Sequence, residues 1–220
     1  MGENMTHQRL SADEVLTTTR SVRRRLDLGR PVDLALVRES LEIALQAPSG
    51  SNAQHWHFVV ITDAEKRAAV GEVYQRACHQ YLAGPGAAGK LHADDAERSK
   101  VQKRVHNSVA YLADVMGQVP VQVIACARTG STALPTGNQS SLWGSVLPAA
   151  WSYMLAARER GLGTAWTTLH LLYEREVADI LGIPDDVHQG VLIPTAHYTG
   201  TTFKPAPRQP LDEVLHINQW

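Results

Sequence analysis

Apolar positions along this chain recur with two periods, and the changes between them mark its elements. Ser11–Thr18 fits a short helix, with Ser11 as N-cap and Glu14 three residues on as its reciprocal partner. Leu36, Val37, Leu41, Ala44 and Leu45 fall at helical spacing within Asp33–Ala47, a helix that Pro48 would stop. Trp56–Thr62 is a continuous apolar run of strand type, and Asp63 is placed to cap a helix reaching about Tyr81. The pattern then predicts a helix over Ala96–Met116, a strand over Val119–Ala127 and a long apolar helix over Leu142–Arg160 ended by Gly161. A strand-like run Leu162–Leu169, a helix Glu174–Leu181 stopped by Gly182 and Pro184, and a strand Val191–Tyr198 follow.

Between these lie a loop at Gly84–Asp95, a loop at 129–140, and a proline-rich tail from Lys204 to Pro210. Residues 1–10 look like a frayed start. Strands alternate with helices too unevenly for a doubly wound sheet, and no internal repeat appears, so the expectation is a single α+β domain over 1–220.

Composition narrows the function. The formal net charge of −1 leaves no overall basic field for nucleic acid. The two cysteines, Cys78 and Cys126, stand far apart, outside any zinc or disulfide pattern, which suits a reducing compartment. The first residues hold no apolar signal core, and no window approaches ~18 consecutive apolar residues. The expectation is a soluble, cytoplasmic protein.

Two patterns imitate ligand sites. Gly84-Pro85-Gly86-Ala87-Ala88-Gly89-Lys90 matches both G-x-G-x-x-G and the opening of a P-loop. It follows a predicted helix rather than a strand, however, and Leu91 stands where a magnesium-binding hydroxyl is needed, so it reads as a flexible loop. His55 and His57 flank Trp56, but no carboxylate or cysteine lies at ligand spacing. His55 is expected in a loop, His57 packed or hydrogen-bonded, and no metal is expected.

Three other segments combine better. Thr19–Arg25 carries hydroxyls and guanidiniums suited to a phosphate, though alone it fits a solvated basic face better. Ala47–Phe58 places small polar residues between a helix and a strand, where exposed amides can meet a flat heterocycle. Gly161–Thr168, Leu181–Pro184, Ile193-Pro194 and Pro205–Leu211 complete the set.

An early Arg-Ser-x-Arg cluster, APSxxNxQxWxFVV, GLGTxW, LGIP and a late PxRxPL occur in that order over about residues 17–216. In this the chain resembles the FMN-dependent nitroreductase family. The resemblance implies a three-layer α+β fold, with a central mixed, mainly antiparallel sheet flanked by helices, in an intertwined homodimer that holds FMN at the subunit interface. It implies that Arg20, Ser21 and one or both of Arg23 and Arg24 meet the phosphate or the flavin's pyrimidine edge, with Arg208 as a second phosphate ligand. The family often has lysine two residues before that arginine; here Ala206 stands there. Pro48, Ser49, Ser51, Asn52 and Gln54 would border the isoalloxazine, with His55 where the family usually has proline. Trp166, Thr167 and Thr168 would lie against its N5 side.

The implied reaction is ping-pong: NADH or NADPH reduces FMN, then a nitroaromatic, quinone or similar acceptor takes the electrons. No side chain is expected as a catalytic nucleophile. Segments 76–108 and 129–141 follow no family pattern and are expected to be mobile lids that set substrate choice. The Leu142–Arg160 helix, through Leu142, Val146, Ala149, Ala150, Tyr153, Met154 and Ala157, is read as dimer surface or core, and the residues from about 205 as reaching the partner. Alternatives are a dehalogenase or flavin-modifying enzyme on the same scaffold, an FMN-storing protein without turnover and, more distantly, a nucleotide-phosphate-binding NTPase.

Overall fold

The structure, a computed structural model, describes residues 8–220, so most of the expected frayed start lies outside the described residues. Helix α1 (Ala12–Thr18) begins with both halves of the expected capping box: Ser11 N–H donates to the Glu14 carboxylate at 2.8 Å, and Glu14 N–H to Ser11 Oγ at 3.3 Å. Asp33 caps α2 (Leu34–Ala44) through Ala35 N–H, and Asp63 caps α3 (Ala64–Ala83) through Lys66 N–H, both at 2.9 Å. Helix α2 stops short of Ala47, because the chain turns at Leu45. That leucine, expected on the apolar face, is exposed. The remaining helices are α4 (Ala96–Val115), α5 (Ser140–Glu159) and α6 (Glu174–Leu181). Helix α6 closes on Gly182 at φ +68°, the left-handed cap a glycine adopts without steric cost.

Strands β1 (Trp56–Ile61), β2 (Val121–Arg128), β3 (Leu162–Thr164) and β4 (Val187–His197) form one antiparallel sheet in the order β1-β2-β4-β3. Along β2, side chains alternate as the pleat requires: Val121, Val123, Ala125 and Ala127 face α2 and α5, while Ile124 and Cys126 face α3, α4 and α6. Helices therefore cover both faces of the sheet, each over its own apolar cluster, which is the expected three-layer α+β arrangement. The mixed character of the sheet comes down to one parallel bridge, Ser21 beside Thr164, with Val22 N–H donating to Thr164 O at 2.7 Å.

Several expectations change. The strand read over Leu162–Leu169 ends at Thr164. Beyond it only Thr167 bridges Leu192, and Leu169–Tyr173 winds into a 3-10 turn. Within 76–108 the helices fall close to where the pattern put them, with α3 running to Ala83 and α4 starting at Ala96. In α5, Val146, Ala149, Ala150, Tyr153, Met154 and Ala157 pack into this chain's own core. The stripe left facing outward on α5 is instead Gly144, Pro148, Trp151 and Leu155, of which Gly144 and Trp151 are exposed and the other two half-buried. This helix is apolar nearly all round, so periodicity could not choose its buried side.

Candidate cofactor site

The early arginines line a cleft of about 400 Å³ together with Ser108 of α4 and Lys204. Its floor follows from how residues 20–22 dock on the sheet edge. Gly163 in β3 lets them come close: a β-carbon there would sit 3.1 Å from Val22 Cβ and Cγ1. The far wall is pinned by Phe203. The Arg25 and Arg158 guanidiniums lie 4.2 and 4.8 Å from its ring centroid, and Tyr198 packs edge-on at 4.9 Å. Arg25 further donates to the carbonyls of Thr199 and Thr202, at 2.6 and 3.0 Å, so it serves the wall rather than the cleft. Arg20 reaches across to Lys204 O at 3.0 Å.

Arg23 is half-buried. Its nearest side-chain partner is the Ser108 hydroxyl at 3.4 Å, and desolvation holds its pKa below the usual guanidinium range. Among the described residues, Arg20, Arg23, Arg24 and Lys204 form no ion pair with a carboxylate. Four cations around an open cleft with no internal counter-charge have the chemistry of a phosphate site. Arg24, which also rests over the Tyr111 ring at 5.6 Å, is the most outward of the three arginines.

Thr167 is linked to Arg23 of this cleft through Tyr74. Its hydroxyl donates to Tyr74 Oη at 3.1 Å, and burial pushes the Tyr74 phenol up to about 12, with Arg23 close enough to oppose that rise. The Thr167 backbone is committed to β4 through Leu192, at 3.1 and 2.9 Å, leaving the amides of Trp166 and Thr168 outside that pairing. So Arg20, Ser21, Arg23, Arg24 and Trp166–Thr168 gather in one region.

The loop Pro48–Gln54 does not join them. It packs on the start of α5, where Gly50 N–H donates to Ser145 Oγ at 2.9 Å and a β-carbon on Gly50 would strike Ser141 Oγ. Ser51, Asn52 and Gln54 all have φ of +53°, a conformation that costs a non-glycine residue about 1 kcal/mol or more. Ser49 holds them, accepting Gln54 N–H on its hydroxyl and Asn52 N–H on its carbonyl, while Gln54 Nε2 reaches Asn52 Oδ1.

Trp56, where this loop enters the sheet, is in register with Ala127 and thence His188, whereas Thr164 is in register with Thr195. The loop and the arginine segment docked at Thr164 thus lie at diagonal corners of the sheet, roughly 14 Å apart across the strands and roughly 23 Å along them, while Thr167, beside Leu192, is offset from the loop by roughly 13 Å along the strands. One chain does not bring them together.

Arg208 is also apart: it is exposed and, among the described residues, donates only to the adjacent Pro207 carbonyl. The lysine in the cleft is Lys204, further up the same tail, and with Ser108 it is what sequence reading missed. Lys204 lay outside the expected lysine position, and Ser108 sits on a helix without a motif.

The glycine-rich imitation is resolved by position. Lys90 Nζ donates to the carbonyls of Ala83 and Gly84, capping the C-terminal end of α3, the end of a helix that repels phosphate. His55 and His57 are both exposed, so the expected packing of His57 is corrected. Among the described residues no three His, Cys, Asp or Glu side chains converge as a metal site, and no helix is long and apolar enough to cross a membrane. Both cysteines are free and buried, and burial raises their thiols to about 11 and about 12.

The chain is 25% identical over 176 residues, 80% of its own length and 81% of the relative's, to an iodotyrosine deiodinase of Thermotoga neapolitana. Among solved structures it resembles the FMN- and NADPH-dependent nitroreductase NfnB from Sphigopyxis sp. strain HMH, with 26% identity, a TM-score of 0.64, and 96% and 100% of the two chains covered. It shares its fold with a BluB-like flavoprotein from Clostridium difficile 630, with a TM-score of 0.69 at 18% identity over 96% and 100% of the chains. The family model described as "Nitroreductase family" matches residues 16–196. On that match the chain belongs to the nitroreductase family.

Proposed function

We propose that this chain is an FMN-dependent oxidoreductase that draws electrons from NADH or NADPH and delivers them to nitroaromatics, quinones or similar electron-poor acceptors. The observation that carries the reading is the cationic cleft lined by no carboxylate, with Tyr74 connecting its Arg23 to Thr167, in a chain of this family. FMN, when bound, supplies the two-electron chemistry, taking a hydride from one ligand and passing electrons to the next. Arg20, Lys204 and Arg23 or Arg24 hold its phosphate by charge-assisted hydrogen bonds, strengthened at Arg23 by partial exclusion of water. A guanidinium left at the pyrimidine edge stabilises the negative charge that reduction places there. The amides of Trp166 and Thr168 position the N5 side.

The diagonal separation of the two motif groups leads to the second part of the proposal. The working unit is a homodimer, in which the cleft of one protomer faces the Pro48–Gln54 loop of its partner. The outward α5 stripe and the exposed apolar residues Leu211, Val214, Leu215 and Ile217 supply the surface for it.

A yellow purified protein that bleaches anaerobically with NADH or NADPH, and regains colour with a nitroaromatic, is the expected result. Colourless protein that ignores added FMN overturns the reading, and bleaching by neither nicotinamide makes it a storage protein. Mixing Lys204→Ala chains with Asn52→Ala chains should restore FMN binding, because each mixed dimer rebuilds one intact site. No recovery would place each site within one chain. Reductive dehalogenation is a second reading, favoured by the deiodinase relative, and iodide release from 3-iodo-L-tyrosine by the reduced protein would select it.

A further inference from the structure

Helix α4 carries a charge pattern that its own folding does not explain. Lys100, Lys103 and Arg104 are exposed on adjoining turns, where like charges at i,i+3 and i,i+4 work against the helix. They line a shallow depression of about 470 Å³ that runs along α4 to Asn107. A second cleft, of about 220 Å³, lies between α4 and the 88–90 turn, and Lys90, Lys103, His106 and Asn107 line it. Lys103 and Asn107 belong to both, so the two are one surface. No carboxylate lines either, and among the described residues none of these cations forms an ion pair. The nearest acid along the helix, Glu97, one turn before Lys100, makes none either. His106 Nδ1 is buried there without a hydrogen-bond partner.

This surface continues into the arginine cleft. Ser108, the cleft's contribution from α4, is one turn after Arg104, and Tyr111, under Arg24, is one turn further. The cations of α4 therefore lie from roughly 6 Å (Arg104) to roughly 12 Å (Lys100) beyond Ser108 along the helix axis. A small aromatic acceptor stacked at the flavin does not span that distance; an extended dinucleotide does.

Resting on the proposed function, we infer that the Lys100–Lys103–Arg104 face receives the 2′-phosphate of NADPH and makes this enzyme selective for NADPH over NADH. The phosphate carries close to two negative charges at neutral pH and takes bidentate hydrogen bonds from Arg104 and point-charge contacts from the lysines. NADH offers a hydroxyl at the same place and gains nothing from them.

The test uses the FMN-loaded full chain and a Lys100→Gln/Lys103→Gln/Arg104→Gln variant, with adenosine 2′,5′-bisphosphate and AMP as calorimetric probes. The wild type should bind the bisphosphate at least about tenfold more tightly than AMP, and the variant should bind the two alike. KM for NADPH should rise about tenfold in the variant while KM for NADH stays in place. Equal binding of the two probes by the wild type overturns the inference, as does an equal loss with both nicotinamides. A loss confined to carboxylated acceptors overturns it too, and reassigns the face to the acceptor. Failure to take up FMN is read separately from the absorbance spectrum and counts against the proposed function; an FMN-loaded protein blind to the 2′-phosphate counts against this inference alone.

Discussion

Replacing Gly163 by alanine probes how closely the arginine-bearing segment must lie on the sheet. The added methyl would stand 3.1 Å from Val22 Cβ and Cγ1 and 3.3 Å from Tyr198 Cβ, so neighbours on both sides must yield. Gly163 is not among the positive-φ residues, so the backbone accepts alanine and the unfolded chain loses freedom, a gain of about 0.4–1 kcal/mol. Overpacking against a buried valine and a packed tyrosine costs about 1–3 kcal/mol. The net expectation is a loss of about 1–2 kcal/mol, and at 220 residues each kcal/mol moves Tm by about 2–4 °C. Thermal unfolding of the FMN-free protein should therefore fall by about 2–8 °C. FMN titration should weaken in parallel, because Val22 shifts Ser21 and Arg20 with it. Val22→Ala opens the space the methyl needs, so the double variant should cost at least about 0.5 kcal/mol less than the two single losses added together. A Gly163→Ala protein with unchanged or raised Tm and unchanged FMN affinity would refute the close-docking account.

Other consequences are equally concrete. Lys204→Ala should weaken FMN binding by about 1.5–3 kcal/mol with little change in the Tm of the FMN-free chain, and fluorescence titration reads it directly. Arg208→Ala should do the same only if a second copy brings Arg208 to the cleft, so an effect that persists in a protein held monomeric would contradict its exposed position. His170 is fully buried with both ring nitrogens unpartnered, and burial lowers its pKa from 6.5 to about 3. The unfolded chain thus takes a proton that the folded one refuses. The stability tied to this group is complete above about pH 6.5 and drains as pH falls toward 3, by about 2 kcal/mol between pH 7 and pH 5. Urea midpoints across that range should slope less in His170→Phe, and an identical slope would sink the assignment. Gly86 has open space and no positive φ, so Gly86→Ala should keep both Tm and FMN content, and ATP should bind neither protein; ATP binding would revive the P-loop reading.

Capping residues made much of the fold legible. Ser11 with Glu14, Asp33, Asp63 and Gly182 act locally, through amides one turn away, and a local signal survives in a linear sequence. The burial of α5 was not legible, because apolar residues on every side leave the choice of core face to the partners. β3 was overread for a similar reason: Ala165 and Trp166 are as apolar as a strand, but beyond Thr195 the backbone bonds between this segment and β4 thin to Ala165 N–H on Pro194 O and the Thr167–Leu192 pair. At the site, ordered motifs brought out Arg20, Ser21, Arg23 and the Trp166–Thr168 run, which the structure gathers. Motif order carries no information on which groups share a corner of the sheet, and so could not separate the Pro48–Gln54 loop from the arginines. Lys204 and Ser108 are neighbours of the cleft only in three dimensions.

The ring of Phe203, held between two guanidiniums, divides the tail into parts with different freedoms. Everything up to Lys204 is anchored to the body of its own protomer, whatever lies beyond. Past Pro205 the chain makes few contacts with that body, so changes of sequence there leave the walls of its own protomer's cleft in place and act on ligand binding only through the partner copy. Such a division permits modular drift: the arm can diversify in length and in preference for an assembly partner while the arginine and Lys204 half of the site stays constant. Chimeras joined just after Lys204 are the natural way to exchange one property without touching the other.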